Sequence, residues 1–250
     1  MPPTLSREAA WEDYPRPSLA VDVVVLTVEP GPAGPRLGLL VIRRTTSAHR
    51  GRWDIPGAFV QHRERLDVAV ARVLREKAGV GGLVPRHLGV FDEPDRDERG
   101  WVVSVASSVA VPYGRLQPVL GRDVRLAAVE RSGSSSGDAV PAVSLGLPNG
   151  QRRLPFDHDE IVRRALADLR GRYRKAPDPD RLLESDEFTL SELSALHSVV
   201  DPDDEHRDTF RRRVEPHLAE IGIRRLAVGR PAKVYTRIAP AGGGSPDAVR

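Results

Sequence analysis

The chain has 250 residues, a formal charge of +3, 40% hydrophobic and 29% charged side chains, and no cysteine. A chain of this length can bury a core as one large domain or two smaller ones, and its composition excludes a membrane-embedded or disordered protein. The absent cysteine rules out disulfides, thiolate nucleophiles and cysteine-based metal centres; the seven histidines show no ligand spacing, so no metal and no cofactor is expected.

Residues 1–14 read as an N-terminal arm without the apolar segment of a signal peptide. The run 19–28 is apolar and β-branched, but Asp22 interrupts it and it is too short to cross a bilayer. A cytoplasmic location with no membrane partner is expected. After Pro30-Gly31-Pro32-Ala-Gly34-Pro35 the pattern resumes over 37–43, which predicts a long hairpin. A helix is predicted from about Arg65 to Lys77, with Leu66, Val70, Val73 and Leu74 on one face and Gly79 as its stop. Strands fit residues 88–91 and 101–111. The Ser- and Gly-rich stretch from about 130 to 153 reads as a flexible insertion with no function of its own. Asp157 can cap a further helix, with Glu160 three residues on and Ile161, Ala165, Leu169 and Tyr173 at helical spacing. That helix runs to about Lys175, and Pro177 and Pro179 mark a boundary between a domain of residues 15–175 and one of residues 176–238.

In the second domain Thr189-Leu-Ser-Glu192 is a capping box and Phe188 with Leu193 takes the two staple positions, so a helix starts near Leu190. Asp201-Pro202 predicts a second helix after a very short turn. Phe210 and Val214 form its inward face, and Pro216 ends or kinks it. Strand-like runs at 223–228 and 233–238 flank Gly229-Arg230-Pro231. Helix, tight turn, helix, hairpin is the outline of a winged helix-turn-helix, and residues 239–250 read as a disordered tail. Charge divides inside this module: residues 176–205 hold ten acids and one base, residues 206–238 nine bases and three acids. Cations on the second helix and hairpin sit where a groove-reading fold needs them. The expected DNA contacts are Arg207, Thr209, Arg211, Arg212, Arg230, Lys233 and Tyr235, while Arg213 can cover apolar surface with its stem.

From Trp53 the sequence reads Trp-Asp-Ile-Pro-Gly-Ala-Phe-Val-Gln-His-Arg-Glu-Arg, and later Ala71-Arg-Val-Leu-Arg-Glu-Lys-Ala-Gly-Val80. This resembles the Nudix box, whose pattern is G-x5-E-x7-R-E-U-x-E-E-x-G-U with U apolar. In that register the opening glycine is Ala58, the first glutamate Glu64, the arginine Arg72 and the closing glycine Gly79. Of the three clustered glutamates, the first is Val73, the second survives as Glu76 and the third is Lys77. The two lost carboxylates stand at i and i+4, where the family holds Mg²⁺ against a diphosphate. Losing them and gaining an ammonium should abolish tight divalent-metal binding, and hydrolysis with it. Glu64, Arg72 and Glu76 would then form a loop-to-helix salt-bridge set.

Together with Leu154-Pro-Phe-Asp-His-Asp-Glu-Ile161, Glu187-Phe-Thr-Leu-Ser-Glu-Leu193, Phe210-Arg-Arg-Arg213 and Gly229-Arg-Pro-Ala-Lys-Val-Tyr235, the chain over residues 15–238 resembles the NrtR family, Nudix-related transcriptional regulators of NAD metabolism. The resemblance implies a Nudix-like α/β/α sandwich with a mixed sheet, of α+β or α/β class, followed by a winged helix-turn-helix. It also implies a homodimeric repressor, not an enzyme, that binds a palindromic operator on double-stranded DNA before NAD biosynthesis or salvage genes and senses ADP-ribose or a related metabolite. Arg43, Arg44, Arg52, Glu64 and Lys77 are the expected effector contacts, and the helix from Asp157 to Lys175 is the expected lever. Two readings compete: a nucleoside-diphosphate (ADP-ribose) hydrolase with metal ligands outside the box, and a module whose basic segment docks RNA or an acidic protein.

Overall fold

The computed structural model describes residues 14–32, 34–46, 48–131, 143–202, 206–224 and 231–238; nearly all of the N-terminal arm, much of the 130–153 stretch, Arg230 and the C-terminal tail lie outside them. In chain order the elements are β1 (Ser18–Glu29), β2 (Arg36–Arg43), β3 (Trp53–Asp54), β4 (Gly57–Phe59), α1 (Leu66–Lys77), β5 (Arg86–Phe91), β6 (Val102–Ala110), α2 (Tyr113–Leu116), β7 (Val124–Arg131) and β8 (Val143–Gly146). Then come α3 (His158–Tyr173), β9 (Phe188–Thr189), α4 (Leu190–Val200), α5 (Arg207–Val214), β10 (Leu218–Arg224) and β11 (Ala232–Arg237).

β1 is buried without a break from Ala20 to Thr27, as a strand covered on both faces must be. Its period of two sorts the side chains: Val21, Val23 and Val25 pack with Val70, Val73 and Leu74 of α1, and Val24 and Leu26 share a core with Ile161, Leu166 and Leu169 of α3. The sheet runs β5-β6-β1-β2-β7-β8, with β3 on β2 and β4 on β1. β1 and β6 are parallel and every other pair in this sheet is antiparallel. This mixed sheet between α1 and α3 is the expected α/β/α sandwich. The same period puts Asp22 on the α3 side, near the end of β1 that pairs with β4.

Two expectations for this half are corrected. Part of the 130–153 stretch is structural: β8 adds a strand to β7, and Gln151 bonds both the N–H and the C=O of Trp53, each at 2.8 Å. Asp157 does not cap α3 with its side chain; its carboxylate is engaged by Arg96 at 2.6 and 2.8 Å, and a charge-assisted fork outcompetes a cap.

The C-terminal elements have the order of a winged helix-turn-helix, with a three-stranded sheet β10-β11-β9. The Thr189–Glu192 capping box is present, with both reciprocal bonds formed, and Phe188 and Leu193 are buried beside it. The second helix starts later than Asp201-Pro202 predicts, because Asp201 is otherwise occupied. Its N–H closes α4 onto the His197 carbonyl and its carboxylate takes Arg174 at 2.5 Å. α5 instead begins at Arg207 with His206 as its cap, and it ends at Val214 ahead of Pro216. The first wing strand also starts earlier, at Leu218 rather than 223, since a bulge between Glu220 and Gly222 absorbs the glycine within the ladder. One buried cluster contains both β1–α3 residues and Phe188, Leu193, Leu196, Phe210 and Tyr235. The two modules therefore share a core and are not joined by a loose linker.

Candidate functional site

A cavity of about 400 Å³ opens where β1, β4, the C-terminal end of α1 and the segment before α3 converge, a size suited to a small organic ligand. Two glycines shape its surroundings. Gly79 has φ +71°, and a Cβ there would meet Val119 at 2.8 Å, so the turn that ends α1 accepts glycine alone. Gly57 packs directly on Asp22: a Cβ would lie 2.0 Å from its Oδ1. Arg43, Arg44 and Lys77 line the cavity with Ala58 and Glu76. Lys77 donates to the Gly57 carbonyl; burial lowers its pKa, assisted by Arg44 and opposed by Asp22 and Asp54.

Beneath the cavity lies a buried charge cluster. His158, the first residue of α3, contacts Asp54 Oδ1 through Nδ1 at 2.5 Å and faces Asp22 Oδ2 through Nε2 at 3.5 Å. Asp54 also receives Arg44 at 2.5 Å. Asp22 accepts from Ser104 at 2.6 Å and faces Arg96 at 3.6 Å. Burial alone would drive the imidazole neutral, but Asp22 and Asp54 outweigh it and push the His158 pKa up to about 10. Burial likewise opposes the Asp22 charge, and His158, Ser104 and Arg96 together bring it down to about 2.

The box residues divide by position. Val73 is 1% exposed in the core between α1 and the sheet, so the first clustered carboxylate is replaced by packing. Arg72 forks onto Glu64 at 2.7 and 2.8 Å and donates to the Phe59 carbonyl at 3.1 Å. Its hydrogen bonds hold the Glu64 carboxyl down at about 2. Glu64 thus braces the loop before α1 and is not among the cavity residues. Arg52 also lies off the cavity, donating to the Arg153 carbonyl at 2.8 Å. Residues 16–130 match the NUDIX domain family. The N-terminal module is a NUDIX domain.

In NUDIX domains the clustered glutamates imply Mg²⁺, and the residues here do not fit it. Val73 offers no donor, Lys77 brings a cation, and among the described residues no group of three or more carboxylates or imidazoles is placed to hold a metal ion.

Beyond the NUDIX domain the likeness extends to the C-terminal module. The chain is 26% identical, over 89% of its length and 83% of the counterpart, to the Acinetobacter baylyi protein named ADPR responsive transcriptional repressor NtrR. It is 28% identical, with a TM-score of 0.66, to Shewanella oneidensis NrtR solved in complex with a 27mer DNA, covering 88% of this chain and 93% of that one. Over 150 residues it is also 29% identical to the ADP-ribose pyrophosphatase of Methanocaldococcus jannaschii, 60% of this chain and 73% of that one.

The helix-turn-helix face is simpler than its sequence suggests. Arg207, Thr209, Arg211 and Arg212 are all exposed on α5, but Arg211 is paired with Glu215 at 2.8 Å. Lys233 is paired with Glu220 at 2.8 Å, and Tyr235 is a core residue at 5% exposure. Much of the apparent charge separation is internal neutralisation: Arg224 pairs with Glu192 at 2.9 Å, and Arg237 with Asp178 at 2.5 Å. The Arg213 guanidinium lies over the Phe210 ring, 5.3 Å from its centroid. Among the described residues no helix is long and apolar enough to cross a membrane.

Asp22, Asp54, Arg96, Arg99, Phe156 and His158 were not among the expected site residues. Asp22 carries a visible signal, since a lone carboxylate inside a strand buried on both faces needs a partner. The others become a site only where β1, β3, the β5–β6 connection and the start of α3 meet.

Proposed function

We propose that this chain is a DNA-binding transcriptional repressor whose NUDIX domain senses ADP-ribose or a related NAD-linked metabolite without hydrolysing it. The observation that carries the reading is the cavity's exchange of a metal centre for fixed cations. Val73 is withdrawn into the core, while Lys77 and Arg44 supply positive charge where a diphosphate would sit. Likeness to a repressor named for its response to ADPR supports the effector class, and likeness to NrtR bound to DNA supports the partner. A homodimer on a palindromic operator, regulating NAD biosynthesis or salvage genes, completes the proposal.

The lever in this mechanism is α3. It starts at His158 under the cavity and ends at Tyr173, whose hydroxyl donates to Asp178 at 2.6 Å; Asp178 in turn holds Arg237 of the second wing strand. Tyr173 also abuts His197, and His197 abuts Phe210, with ring centroids 5.3 and 5.0 Å apart. A diphosphate that draws Arg44 away from Asp54 alters the charge balance at the first residue of α3. Linkage then ties operator affinity to effector occupancy only insofar as the effector binds the two arrangements unequally.

The hydrolase alternative is tested by turnover. ADP-ribose incubated with the protein and Mg²⁺ is expected back intact by chromatography; product formation that disappears in Glu76→Gln would establish an enzyme instead.

A further inference from the structure

The cavity has an aromatic end that neither the box nor the charge cluster accounts for. Phe59, the last residue of β4, is 44% exposed at its rim. Phe156 lines it from the segment before α3. Between them sits Arg99, its guanidinium 5.3 Å from both ring centroids. Arg99 is anchored by a fork onto Asp97, at 2.9 and 2.6 Å. Phe156 has φ +56°, a left-handed conformation that costs a bulky residue strain and persists only where the surroundings impose it. Arg44 lies over the same ring at 4.9 Å, and His49 meets it edge-on at 4.9 Å. A strained aromatic held beside an exposed one, with a planar cation between them, is poorly explained as packing, because burying Phe59 would serve packing better.

We propose that Phe59 and Phe156 form a nucleobase slot in which Arg99 is a placeholder. The inference rests on the reading of the cavity as an effector site and identifies which end of a nucleoside-diphosphate effector lies where. A purine and a guanidinium are both flat and both stack on aromatic faces, so the base enters as Arg99 swings out and the rings stay covered in either state. The base at this end directs the diphosphate towards Arg44 and Lys77, and the displaced Arg99 adds a third cation. Sugar phosphates without a base leave Arg99 in place and gain nothing from the rings. The slot thereby selects nucleotides over other phosphates.

The test uses the full chain and 1,N6-etheno-ADP-ribose, whose base fluorescence is quenched on stacking, with inorganic diphosphate as a base-free probe in calorimetry. Wild type should quench the probe. Phe59→Ser should weaken ADP-ribose binding about 10- to 100-fold and abolish quenching, with diphosphate binding unchanged. Phe156→Tyr, which keeps the ring, should retain both. Equal losses for ADP-ribose and diphosphate in Phe59→Ser, or no loss for either, would overturn the slot. Absence of binding to etheno-ADP-ribose together with quenching of etheno-ADP would support the slot and contradict the ADP-ribose reading. Absence of binding to both would overturn the slot.

Discussion

Replacing Asp54 with alanine should lower the unfolding free energy by about 3–5 kcal/mol, because removing one partner from a buried charge set strands the others. Asp54 is fully buried and holds both Arg44 and His158 at 2.5 Å. The loss exceeds that of a surface ion pair, typically below about 1 kcal/mol, since water cannot replace the missing carboxylate. The pH dependence supplies an independent signature. His158 has a folded pKa raised from 6.5 to about 10. Its stabilisation is therefore fully present below about 6.5 and is lost as pH rises through about 10, at up to about 1.4 kcal/mol per pH unit. Asp22 works in the opposite sense: lowered from 3.8 to about 2, it stabilises above about 3.8 and ceases to do so as pH falls through about 2. Urea midpoints taken between these limits should show the alkaline loss in wild type and a shallower one in Asp54→Ala. Equal alkaline slopes in the two proteins would show that the charge cluster does not set the pH response.

The double substitution Arg207→Ala with Arg212→Ala should weaken operator binding by about 2–6 kcal/mol, taking about 1–3 kcal/mol for each lost base contact. If both arginines contact phosphate instead, the loss is spread evenly across sequences and the slope of log K against log salt falls by about 2. Both side chains are exposed on α5, whereas Arg211 is already engaged by Glu215 and a single Arg211→Ala should lie at the low end of that range. Substitution of Arg224 or Arg237 is expected to act through folding, since their partners are Glu192 and the buried Asp178. Fluorescence anisotropy with a duplex selected from a random pool reads these effects. Wild-type affinity in the double variant would place the DNA on another surface.

The first strands and the capping box were legible because their signals are local, whereas the sandwich followed from the resemblance of the box. The β-branched run of β1, the Phe188–Leu193 staple and the Thr189–Glu192 pair all act within a few residues. Side-chain roles failed where a carboxylate was claimed from far away: Arg96 takes Asp157, although α3 still starts next to it at His158, and Arg174 takes Asp201, with α5 starting only at Arg207. The charge division misled for the same reason, because the acids at 178 and 192 neutralise wing arginines brought beside them by the β9–β11 pairing. In the cavity, the register of the box showed which metal ligands were missing. It could not show that Val73 turns inward while Lys77 lines the cavity, nor that Arg52 and Glu64 lie away from that cavity. The Asp22–His158–Asp54 cluster joins residues more than a hundred positions apart, and no pattern in the chain foretells that meeting.

In the proposed mechanism one cavity both holds ADP-ribose and governs DNA affinity without consuming the ligand. Anisotropy of the selected duplex, titrated with the protein in Mg²⁺ with and without ADP-ribose, tests it in a single experiment. A change in duplex affinity of at least about fivefold is predicted, with the ADP-ribose recovered intact at the end. Unchanged duplex affinity alongside conversion of ADP-ribose to products would overturn the proposed mechanism and make the protein an enzyme.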